Sequence, residues 1–145
     1  MAETDLDLEN PLEQRLGYQL RRASNAMMTD LATRLQALHL RIVEASVLVL
    51  IKANPAITQT EIGRSLGIQR ANMVPLIAGL MERGLVNRQA ADGRSHALSL
   101  TATGRSLTTK VEGVMQGHED SFLAGLSQAD RARLVRLLGA IRDRE

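Results

Sequence analysis

Gln69, Arg70 and Asn72 stand almost side by side, ahead of a run of small and apolar residues. A glutamine or asparagine amide can pair bidentately with adenine, and an arginine fork with guanine, on the major-groove edges of base pairs. Arg88 and Arg94 follow, the second beside the pair Asp92-Gly93. A guanidinium at the tip of a turn suits phosphate oxygens or the minor groove. Nothing of equal quality points to catalysis. His39, His96 and His118 are scattered, the last reading as an ordinary helix-face residue; there is no cysteine, and no nucleophile motif, phosphate-cradling glycine loop or spaced carboxylate pair occurs. No catalytic residue, metal site or cofactor is expected, and the protein is not expected to be an enzyme.

The elements around these residues are legible. Thr58 can cap a first helix, with Glu61 completing a capping box. Gly63 must face the partner helix, and Gly67 sits where a sharp turn calls for positive φ. Ile62, Leu66, Ile68, Met73, Ile77 and Leu80 are spaced to share one small core. A second helix over 70–83 then turns Ala71, Asn72, Pro75, Ala78, Gly79 and Glu82 away from that core. Leu85-Val86 and 96–100 have strand character around the Asp92-Gly93 turn. A helix-turn-helix followed at once by such a hairpin predicts a winged helix, one helix entering the major groove and the wing reaching the adjacent backbone or minor groove.

The flanks read as long helices. Asn10 caps, Pro11 takes the first helical position and Glu13 closes a box, after which Leu16, Leu20, Ala23, Met27, Leu31, Leu35 and Leu38 form a stripe. A helix from about Ile42 stops at Asn54-Pro55. Another starts near Ala102 and carries Leu107, Val111, Val114, Met115 and Phe122. Ser127 caps a last one bearing Leu134, Leu137, Leu138 and Ile141. Stripes this long at both ends, with too little protein between to cover them, predict a homodimer. The expected fold class is mainly α with a small β-hairpin wing: a winged helix-turn-helix over about 40–101, dimerisation helices over about 11–38 and 102–143, and a disordered acidic tail over 1–10.

Charge agrees once it is divided. The net is +2, yet residues 1–14 hold five of the 16 acidic residues and no base, so the remainder sets 18 bases against 11 acids. All but Lys52 and Lys110 are arginine. One tyrosine, one phenylalanine and no tryptophan disfavour a stacking platform for single strands, and duplex DNA is the better target. No run reaches transmembrane length and no charged-then-apolar leader opens the chain, so a cytoplasmic protein without membrane contact is expected.

Leu66-Gly-Ile, Glu82-Arg-Gly-Leu-Val86, Asp92-Gly-Arg94 and Leu98-Ser-Leu-Thr101-Ala-Thr-Gly104 resemble the multiple-antibiotic-resistance-regulator (MarR) family of bacterial transcription factors. The resemblance implies an obligate homodimer on a pseudo-palindromic operator, commonly a repressor released by a small ligand. The chain departs from the family pattern in three places. Pro75 stands within the second helix, where a local kink is expected rather than a break; Ser46 stands where an aromatic is frequent; and the lack of cysteine excludes a thiol-based peroxide switch. The residues expected at DNA are Thr58, Gln69, Arg70, Ala71, Asn72, Pro75, Arg88, Asp92 and Arg94. A small phenolic or aromatic effector is expected where the dimerisation helices meet the winged unit, near Tyr18, Arg22, His39 and Ser46. The competing reading is a winged-helix module for protein–protein contact. It would put large apolar or aromatic anchors on the outward face of the second helix, and that face has none.

Overall fold

The computed structural model describes residues 8–90 and 96–144. Its helices are α1 (Leu16–Gln36), α2 (Ile42–Ala53), α3 (Gln59–Leu66), α4 (Arg70–Glu82), α5 (Ala102–Phe122) and α6 (Gln128–Arg142), and its strands are β1 (Val86–Ala90) and β2 (His96–Leu100). The antiparallel pairing sets Val86 opposite Leu100 and Arg88 opposite Leu98. The Asp92-Gly93 turn and Arg94 lie outside the described residues, as does most of the acidic tail.

The winged unit shares its core with the inner parts of the helices that flank it. Leu35, Leu48, Ile62, Met73, Ile77, Leu80, Leu98 and Val111 are all at most 1% exposed, so the end of α1, the middle of α5 and the whole helix-turn-helix share one interior. Local rules place each piece. The Thr58 hydroxyl accepts from the Glu61 amide at 3.2 Å and the Glu61 carboxylate accepts from the Thr58 amide at 2.8 Å, closing the expected box. Gly67 takes φ 67, a left-handed conformation that ends α3 without a Cβ penalty. The Leu98 amide donates to the Ile57 carbonyl at 2.9 Å, pinning the wing to the start of α3. The strand-to-helix junction is tighter still. The Thr101 hydroxyl donates to the Gly84 carbonyl at 2.7 Å and accepts from the Gly104 amide at 2.9 Å. Any Cβ at Gly104 would overlap the Leu85 carbonyl, so only glycine lets α5 leave at this angle.

Two expectations need correcting. Pro11–Gln14 form a separate 3-10 turn rather than the first turn of a long helix. Asn10 does cap it, accepting from the Leu12 amide at 3.1 Å, but Arg15 is extended (φ −94, ψ 123) and breaks the run before α1. The Gln19 side chain holds the turn from outside by donating to the Glu13 carbonyl and carboxylate at 2.9 and 2.8 Å. His118, expected as an ordinary helix-face residue, is 2% exposed. Its Nδ1 donates to Asp30 at 2.7 Å, joining α5 to α1, while the Arg34 Nε reaches the same carboxylate oxygen at 2.7 Å. The Phe122 ring lies 5.2 Å from the imidazole and shields it.

Further out the helices run bare. Leu16 is 64% exposed near the start of α1. On α6 no residue is buried, and Leu134, Leu137, Leu138 and Ile141, spaced as one stripe, are 38–48% exposed. Arg131 tethers α6, donating to Asp120 and to the Leu123 carbonyl, both at 2.9 Å. A lone helix of this length is marginal in water, so the stripe needs a cover.

The hydrogen bond from His118 is the largest influence on the Asp30 carboxyl and, with help from Arg34, holds it below the ordinary aspartate range against burial, which ranks second and pushes the other way. A carboxyl depressed in the folded state stabilises above its unfolded pKa, and the contribution is lost as pH falls through the folded value. Asp30→Asn should therefore lower the urea midpoint near neutrality. It should also flatten the part of the acid-induced fall that lies below about pH 4. Parallel curves for both proteins from pH 7 to pH 3 would refute a stabilising role for this α1–α5 link.

Candidate nucleic-acid interface

The inner face of α4 is fixed by Met73, Leu76, Ile77 and Leu80, all buried. That leaves Ala71, Asn72, Pro75, Ala78 and Glu82 exposed and Gly79 half-buried, as the helical spacing predicts, with Val74 exposed beside them. Val74, 56% exposed, is the one sizeable apolar side chain there, so no protein-binding anchor of aromatic size occurs on this face. α4 runs unbroken past Pro75.

Gln69 is the extended residue preceding α4, and its side chain makes no capping bond. Its carbonyl instead accepts from the amides of Asn72 at 2.9 Å and Met73 at 3.2 Å. The side chains of Gln69, Arg70 and Asn72 are all exposed, and none is tied down by a hydrogen bond to another described residue. Three recognition-type side chains thus project from one helical turn with their donors and acceptors uncommitted among the described residues.

A cleft lies on each side of this turn. One of about 220 Å³ between α3 and α4 is lined by Gln59, Thr60, Arg64 and Arg70. Another of about 400 Å³ is lined by Arg41, Val43, Asn72 and Pro75. Arg41 and Arg64 were not among the residues expected from sequence. Each is a single arginine near a helix end, with no periodic partner to mark it. The Arg41 Nε donates to Glu44 at 3.1 Å, yet its side chain stays 72% exposed. Thr58 is half-buried; its hydroxyl oxygen accepts the cap bond from the Glu61 amide, which leaves its own proton to donate. Arg88 is exposed on β1, while Asp92 and Arg94 fall outside the described residues.

The four residues expected around an effector do not converge within one chain. Tyr18 and Arg22 are a contact pair at the start of α1, the guanidinium donating to the phenol oxygen at 3.0 Å. That bond and one from Asn10 hold the Tyr18 phenol below its ordinary pKa. Arg22 also lines an open cleft of about 660 Å³ with Arg21, Asn25 and Thr29. His39 lies past the other end of α1, about 20 Å of helix away at 1.5 Å per residue. It takes φ 54, and its carbonyl accepts from Arg83 at 2.9 Å. A fourth cleft, about 630 Å³, opens nearby between Leu38, Arg83, Thr103, Ser106 and Lys110. Ser46 is half-buried on α2, its hydroxyl donating back to the Ile42 carbonyl at 2.9 Å. Among the described residues no cluster of His, Asp or Glu could hold a metal ion, and no helix is long and apolar enough to cross a membrane.

The same architecture occurs in proteins of known structure. The sequence profile of the MarR family matches residues 40–95. CouR, a transcriptional repressor solved bound to a 23-mer DNA duplex, is 34% identical, with a TM-score of 0.85 over 94% of this chain and 99% of that one. CouR bound to p-coumaroyl-CoA is 32% identical, with a TM-score of 0.81 over 95% of this chain and 99% of that one. The HTH-type transcriptional repressor Rv2887 of Mycobacterium tuberculosis is 28% identical over 125 residues, covering 85% of this chain and 90% of the relative. A winged helix flanked by unpaired terminal helices, the matching profile and a third of all residues shared across nearly the full length together make this chain a member of the MarR family.

Proposed function

We propose that this protein is a homodimeric, cytoplasmic regulator of transcription that grips duplex DNA with α4 in the major groove and releases it on binding an aromatic acyl ligand. One observation carries the reading: Gln69, Arg70 and Asn72 project uncommitted from the first turn of α4, between two clefts that each hold an arginine. Asn72 can address adenine and Arg70 guanine. Arg41, Arg64 and Arg88 suit phosphates, and Arg94, in the wing sequence, suits phosphate or the minor groove. The relatives that repress transcription, one of them solved on DNA, support repression as the outcome.

The dimer follows from the bare stripe of α6 and the exposed start of α1. Sedimentation should give twice the mass of one chain at micromolar concentration; a stable folded monomer would dismiss the dimer. Two copies place two α4 helices on one face of the duplex, and half-sites one helical turn apart need about 34–36 Å between them.

DNA selected from a random pool should carry inverted half-sites. Asn72→Ala should then cost about 1–3 kcal/mol at a single base position per half-site. Arg94→Ala should instead weaken every sequence alike and reduce the salt slope by roughly one charge per subunit. Failure to enrich any sequence would dismiss the reading.

For the effector, the relative bound to p-coumaroyl-CoA suggests an aromatic acid or its coenzyme A thioester. Arg22, with Arg21 beside it, suits the anionic part of such a ligand, and the small Ser46 side chain leaves room for a ring. The cleft lined by Arg22 does not include Ser46, so the ligand would lie across two subunits or engage only one of these places. Titrating p-coumaroyl-CoA against the operator complex should release DNA, and Arg22→Ala or Ser46→Trp should raise the concentration required. Release of both variants at the wild-type concentration would place the site elsewhere.

A further inference from the structure

Proline inside α4 has a chemical consequence on the face that the proposed function turns toward DNA. In an α-helix each carbonyl accepts from the amide four residues later. Pro75 has no amide hydrogen, so the Ala71 carbonyl loses that donor. A pyrrolidine ring in a helix also crowds the carbonyl four residues before it, and such crowding in general turns a carbonyl outward from the axis. Ala71 and Pro75 are both exposed, and Pro75 lines the same cleft as Asn72. The preceding turn differs, since the Gln69 carbonyl has two amide donors at 2.9 and 3.2 Å. Among the described residues no side chain donates to Ala71 in their place.

We propose that the Ala71 carbonyl, freed by Pro75, reads an exocyclic amino group, cytosine N4 or adenine N6, in the major groove. This rests on the DNA-binding reading. The chemistry narrows the partner sharply. A carbonyl only accepts, so phosphate oxygens repel it, and the major groove offers it just these two donors. Nothing else on the turn does the same work: Arg70 only donates, and the amides of Gln69 and Asn72 both donate and accept. Ala71 contributes only a methyl, so its own side chain does not cover the carbonyl. The carbonyl belongs to the peptide that joins Ala71 to Asn72, so it addresses a base pair beside the one Asn72 reads. Pro75 is then a positioning residue whose effect is to keep an acceptor unpaired.

The test separates this acceptor from the proline ring, which could itself touch a thymine methyl. Sequences are selected with the wild type and with Pro75→Ala, which restores the amide hydrogen and suits a helix better, with circular dichroism to confirm folding. The wild type should prefer a base bearing an amino group next to the Asn72-dependent position, and Pro75→Ala should lose that preference while keeping the neighbouring one. The preferred base is then replaced in a synthetic operator by an analogue without the amino group, purine for adenine or 2-pyrimidinone for cytosine. The wild type should lose about three- to ten-fold in affinity, the worth of one neutral hydrogen bond, and Pro75→Ala nothing. Equal losses in both proteins, or no loss in either, would overturn the proposal. So would a position that responds instead to exchanging thymine for uracil, which would assign the contact to the ring. If the wild type enriches no sequence at all, the DNA-binding reading fails and takes this one with it. A defined Asn72 position with an indifferent neighbour removes this inference alone.

Discussion

The packing of one face of α4 decides the rest of this structure. Met73, Leu76, Ile77 and Leu80 are buried together, and a helix with one face locked in a core has no freedom in what it shows on the other. Those contacts reach outward in both directions. Gly63 approaches α4 so closely that a Cβ would lie 3.1 Å from the Met73 side chain, which sets the distance between α3 and α4. The Leu85 amide donates to the Leu80 carbonyl at 3.0 Å, which aims the chain into β1. The Leu85 backbone then meets Gly104, which aims α5. A single buried strip of side chains therefore orients the recognition turn, the wing and the first half of the long C-terminal helices.

What was legible in the sequence follows from where physics is local. Caps, the left-handed glycine and the apolar period are each written in a few neighbouring residues, so α2, α3, α4, β2 and α5 lie where the residues place them. The start of α1 was not, because asparagine, proline and glutamate at this spacing suit a 3-10 turn and an α-helix equally. The difference lies in Arg15 and in Gln19 bonding back to Glu13. His118 escaped for another reason. Its burial depends on Asp30, 88 residues earlier, and nothing in either helix alone announces the pair. The effector residues show the same limit: Tyr18 and Arg22 are one turn apart and do meet, whereas relating them to His39 required the length and course of α1.

The molecule divides into a part that closes on itself and a part that does not. The winged unit has a complete core, while α6 has no buried residue and is held to α5 chiefly by Arg131. On the proposed reading this division has a use. The recognition turns are rigid within each unit, and their mutual spacing is set by the outer helices, whose apolar faces are satisfied only between copies. The His118–Asp30 link, bridging α1 and α5 with Arg34 on the same oxygen, stiffens the arm that connects the two parts. A ligand bound along α1 would need to shift that arm only slightly to misplace both half-site contacts, because the duplex repeat tolerates little error in spacing.

The division of labour in the interface follows from side-chain size. The outward face of α4 beyond Asn72 is Val74, Pro75, Ala78 and the half-buried Gly79, which carry no charge and bury little area. Such a face cannot supply much affinity. The arginines around it can, through phosphate contacts whose strength depends on salt and not on sequence. On the proposed reading specificity then rests on a few groups of the first turn, and an interface built so would be economical in one respect: with little side-chain bulk between helix and bases, the backbone itself would come within reach of the groove. Replacing the proline of this turn by a long basic residue would add a phosphate or guanine contact but hold the backbone away, exchanging sequence discrimination at one pair for affinity at all of them.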